Sequence, residues 1–176
     1  MLASVVPSPH PENEAMSVTW RHLPKPARAI AEAATGAVRA ARSRDAEAFQ
    51  TEATRLAALD SEQVGNVLGA VVRSLLEELH PDGLTADDVR GLVGHCVRSA
   101  AEWFPGVEAD VVVILVAGAL GLHQSGPEGF TLDGAEVARH APLLITDLLA
   151  ASGRSWNEVL AAAFSGIELI EIAETP

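Results

Sequence analysis

The sequence predicts an all-α protein, a compact bundle or orthogonal array of about seven helices. Three observations lead there. Apolar residues recur at three- and four-residue spacing through most of the chain, the period of an amphipathic helix. Capping residues and Pro/Gly clusters fall at the intervals of helix starts and stops. The single β-prone run, residues 111–116, has no second convincing strand to pair with, and a solitary buried strand leaves its backbone groups unpaired at a cost of a few kcal/mol.

Each element follows from its own residues. Residues 1–19 carry Pro7, Pro9 and Pro11 among polar neighbours and are expected to be disordered, with Met16 an alternative start; one helical domain is expected over 20–172 and a flexible end over 173–176. After Pro24 and Pro26, the stretch ARAIAEAATGAVRAARSR places Ile30, Ala31, Ala34, Val38 and Ala41 on one face. A second helix over 45–59 turns Phe49, Ala53 and Leu56 inward. Asp60 with Gln63 starts a third, over 61–79, whose stripe runs from Val64 to Leu79 and ends at Pro81, Asp82 and Gly83. Thr85 caps a fourth over 86–103, with Asp87 and Asp88 in the first turn where the helix dipole favours anions. Trp103 and Phe104 are expected to plug the end of the bundle, because Pro105 discourages helix just before it.

In the run DVVVILVAGALG, residues 110–121, the eleven uncharged residues 111–121 are too few for a membrane span, since a helix of that length covers only about 17 Å. It reads as a fully buried central helix over 107–122, with the small residues of AGALG allowing close packing. A helix over 134–151 follows, starting at the Asp133 and Glu136 pair and bending or restarting at Pro142. Gly153 ends it. Ser155 with Glu158 opens the last helix, which carries Trp156, Val159, Leu160, Phe164 and Ile167 inward.

The whole-chain properties narrow the function classes. Hydrophobic residues make up 48% and charged residues 20% of the 176, ordinary globular material. Three Trp, four Phe and no Tyr leave few aromatic anchors for a deep ligand pocket. No membrane-length apolar run and no secretion-signal pattern are present, so a cytoplasmic location is expected. The one cysteine, Cys96, has no intrachain disulfide partner. Net charge is −12 and unevenly placed: residues 1–55 hold seven basic and six acidic groups, and residues 56–176 hold five and eighteen. Arg21, Lys25, Arg28, Arg39, Arg42 and Arg44 face only Glu32 within 17–44, which reads as a cationic arm or helix preceding an acidic body.

Chemistry-bearing groups are sparse. Glu77 and His80 form one E-x-x-H element, whereas a dinuclear metal bundle needs a second pair, and Glu136 is followed three residues on by Arg139. Glu136, His140 and Asp147 recur at helical spacing, a candidate acid/base cluster in which a carboxylate orients an imidazole. His95 and Cys96 are adjacent and therefore about 100° apart on a helix, poorly placed to act on one atom. No phosphate loop, dinucleotide fingerprint, H-E-x-x-H or C-x-x-C occurs, so no cofactor or metal is expected. The loop 123–131 offers His123 and Phe130 as a contact surface.

The expectation is a non-enzymatic helical module that associates with itself as a homodimer, the six cations with His123 and Phe130 forming the contact, and with another protein as the alternative partner. Two other classes stay open. Nucleic-acid contact through 21–44 is disfavoured because the next helix carries Asp45, Glu47 and Glu52 against Arg55. An enzyme would need a pocket drawing together His95, His123, His140 and nearby acids.

Overall fold

The computed structural model describes residues 20–122 and 132–174. Among them stand seven helices and no strand: α1 Lys25–Arg42, α2 Ala46–Ala57, α3 Ser61–Leu79, α4 Ala86–Ala101, α5 Ala109–Ala119, α6 Gly134–Ser152 and α7 Trp156–Glu174. The expected tail 1–19 and the loop 123–131 lie outside the described residues.

The caps set the boundaries. Asp45 accepts the Ala48 N–H at 3.0 Å to start α2, and Asp60 accepts the Gln63 N–H at 2.9 Å to start α3. Thr85 with Asp88, and Asp133 with Glu136, form reciprocal capping boxes at α4 and α6. The Thr85 hydroxyl and backbone N–H both reach the Asp88 carboxylate and hold it below its ordinary range. Each such cap satisfies N–H groups that a helix start leaves orphaned, worth about 1 kcal/mol. Gly153 closes α6 in the left-handed conformation at φ 68°, where its N–H donates to the Leu149 carbonyl.

The centre of the fold is not the apolar α5. Helix α6 packs against α1, α2, α3, α4 and α5, and its residues Ala141 to Ile145 are buried without a break. It runs through Pro142 as one helix, so of the two expected outcomes, a bend or a restart, the restart does not occur. Helix α1 is the second inner element: Ile30 and Ala31, then every residue from Ala33 to Val38, are buried. Alanines on nearly every side let α2 and α6 approach closely, and Gly36 leaves room for the Glu52 side chain, which a Cβ there would meet at 2.6 Å.

By contrast, α5 is buried on one side only. Val111, Val112 and Val116 face the core, while Val113 is 37% exposed and Ile114 and Leu115 are half-buried. This corrects the expectation of a fully buried central helix at 107–122. An all-apolar helix has no polar face to mark which side meets solvent, and the inner positions here go to helices with smaller side chains.

A buried polar tie joins α7 to α1. The Trp156 indole N–H donates to the Thr35 hydroxyl at 2.9 Å, and that hydroxyl donates to the Ala31 carbonyl at 2.6 Å, locking α7 onto α1 inside the core. At the end of the bundle, Phe49 meets Trp103 and Phe104 edge-on, with ring centroids 5.3 and 5.0 Å apart. The aromatic plug read from the sequence is therefore present.

Candidate functional site

The cations expected to form one arm are divided between the two ends of α1. Arg21 and Lys25 are exposed at its start, where the Arg28 guanidinium donates to the Arg21 and Leu23 carbonyls at 3.1 Å each. Arg39, Arg42 and Arg44 are exposed at its other end. Ten residues of helix, 29–38, separate Arg28 from Arg39, about 17 Å at ~1.5 Å per residue, and all of them but Ala29 and Glu32 are buried. His123 and Phe130 lie outside the described residues.

The cluster expected from Glu136, His140 and Asp147 is also divided. Glu136 is engaged in the capping box of α6. His140 is fully buried, with Nδ1 2.8 Å from the Glu136 carbonyl and Nε2 accepting the Glu108 backbone N–H at 3.0 Å. Those contacts require the neutral ring protonated at Nδ1, and burial pulls its pKa below the ordinary value. His140 thus pins the start of α5 to α6.

Asp147 lies one end further along α6, in different company. Its Oδ2 is shielded from solvent with no hydrogen-bond donor among the described residues, and the His95 Nε2 from α4 is 3.7 Å away. Burial pushes the carboxyl pKa up, opposed by the charge of His95. The adjacent Cys96 thiol is pushed up to about 12 by burial and by Asp147, so it stays protonated at neutral pH and is no nucleophile. Glu77 pairs with Arg73 at 2.8 Å rather than with His80, which caps the end of α3.

Asp147 opens onto a cavity of about 260 Å³ between α1, α4 and α6. Arg42 and Arg44 line its α1 side, Ser99 and Trp103 its α4 side, and Thr146 lies next to the acid. Arg44 adopts φ 53° just past the end of α1 and reaches Glu102 at 2.7 Å. A left-handed non-glycine residue costs about 1–2 kcal/mol, so two locally unfavourable features meet at one cavity.

No family model, curated protein or solved structure matches this chain.

A second concave region, about 280 Å³, runs between α3, α5 and α6. Gly65, Gly69, Leu115, Gly118 and Val137 contribute to its lining, and none of the described lining residues is charged. Open space lies over Gly65, Gly69 and Gly118 where their side chains would be. This surface and the exposed side of α5 are continuous through Ile114 and Leu115. Nothing in the sequence marked it as a surface, because the same run read as core.

Proposed function

We propose that the protein is a self-associating helical module whose contact is the outer face of α5 with the groove beside α3. The observation that carries this reading is the one-sided burial of α5, an eleven-residue helix with a single charged residue, Asp110. Half-buried Ile114, Leu115 and Leu120 with exposed Val113 along this run give an apolar face of the kind that serves as a contact site.

Charge favours a second copy as the occupant. Each copy carries −12 overall, so most faces repel one another, whereas the groove lining is uncharged and can meet itself across a two-fold axis without opposing like charges. The three open glycines permit a facing helix to approach with its backbone close. The basic residues at and beside the two ends of α1 do not line this groove. Their separation along α1 likewise gives a nucleic-acid backbone no continuous cationic track.

Sedimentation velocity of the full chain at low and at moderate salt tests the reading. A dimer at both salts is the expected result. A monomer at both, across micromolar concentrations, would reject it.

A further inference from the structure

We propose that the cavity between α1, α4 and α6 binds a small zwitterion, its ammonium group on the Asp147 carboxylate and its carboxylate at Arg42 and Arg44. This site is separate from the α5 face, and the inference does not rest on self-association.

The cavity holds an acid without a donor. Asp147 Oδ2 is buried without a donor, and a buried carboxylate oxygen is normally hydrogen-bonded because leaving it bare is costly. The His95 imidazole at 3.7 Å is beyond hydrogen-bond reach and belongs to a mostly exposed side chain. An ammonium group supplies what is missing, three donors on a compact positive charge.

The opposite wall has the opposite sign. Arg42 and Arg44 lie along the α1 edge of the same cavity, so a simple cation entering would be repelled there and a simple anion would be repelled at Asp147. A molecule with both charges satisfies both walls. Cys96, Ala100 and Leu143 supply apolar surface between them, suited to a short hydrocarbon spacer. The volume, about 260 Å³, falls just below the roughly 300–1,000 Å³ of drug-sized sites. The occupant is accordingly the size of an amino acid rather than a nucleotide or peptide.

The arrangement also accounts for retention of two costly features. A buried, unsatisfied acid and a left-handed arginine at one mouth are the kind of local conflict that proteins keep at functional positions. Arg44 holds Glu102 on the exposed side, an exposed pair of small energetic value that ligand binding can exchange.

The experiment uses backbone amide NMR on the full chain titrated with L-alanine, β-alanine and γ-aminobutyrate, with propylammonium and butyrate as singly charged controls. At least one zwitterion is expected to shift the amides of Ser99, Thr146 and Asp147, with an affinity ~10-fold or more above either control. Asp147→Asn, which keeps the shape of the side chain, is expected to lose ~10-fold or more in affinity, and Arg44→Gln to weaken binding where Glu102→Gln does not. The proposal is overturned if no zwitterion shifts these amides, if a control binds as well, if Asp147→Asn binds normally, or if Glu102→Gln weakens binding as much as Arg44→Gln.

Discussion

At the residue scale, two buried polar side chains and one half-buried acid have opposite consequences for stability. Thr35 both accepts the Trp156 N–H and donates to Ala31. Thr35→Val keeps the shape but leaves the indole N–H unpaired, and is expected to cost about 1–3 kcal/mol in denaturant unfolding; Thr35→Ser should lose clearly less. Asp147 works the other way. Its folded pKa lies above the ordinary 3.8, so the folded state holds the proton more tightly, and the stability this contributes at low pH is lost as pH rises from 3.8 through the folded value. Asp147→Asn should therefore raise the unfolding midpoint at pH 7, with the advantage shrinking as the pH is lowered to 3.8. His140 is depressed below 6.5 by burial. Its contribution is complete above 6.5 and is lost as pH falls from there through the folded value, because a charged ring cannot accept the Glu108 N–H. Wild type should lose stability in that window while His140→Gln loses less, as followed by thermal unfolding across pH 4–8. Little of this was legible beforehand. The spacing of 136, 140 and 147 places three groups along one helix, but it is silent about their partners: His95 comes from α4 and the Glu108 N–H from the start of α5, contacts made only when distant segments pack.

At the element scale, helix starts were the most legible feature, since capping is a local interaction between residues three apart. Asp60 with Gln63, Thr85 with Asp88 and Asp133 with Glu136 sit where the sequence puts them. Relative placement was less legible. The Val-rich α5 reads as the deepest helix, yet α1, with Ala at six of the buried positions in its eighteen residues, lies further inside. Alanine contributes little transfer free energy and so a weak periodic signal, while its small volume is what admits neighbours on several sides. The two sides of α5 yield a direct contrast. Val112→Glu places a charge at a fully buried position and is expected to unfold the protein. Val113→Glu, on the exposed side, should leave helicity by circular dichroism and the unfolding midpoint nearly unchanged.

At the scale of the whole molecule, the charge distribution separates two modes of assembly. Contact between a basic helix and an acidic body would weaken as salt screens the attraction. Contact through the uncharged α5 groove between two copies of net charge −12 should tighten as salt screens their repulsion. The division of the α1 cations between its two ends, and the burial of the residues between them, favours the second mode. Sedimentation equilibrium of wild type and Val113→Glu over a range of salt tests this claim most directly. The account predicts a wild-type dimer whose dissociation constant falls as salt rises, and a folded, monomeric Val113→Glu. A wild-type monomer at every salt, a dimer that dissociates as salt is added, or a Val113→Glu protein that dimerises as well as wild type would contradict it.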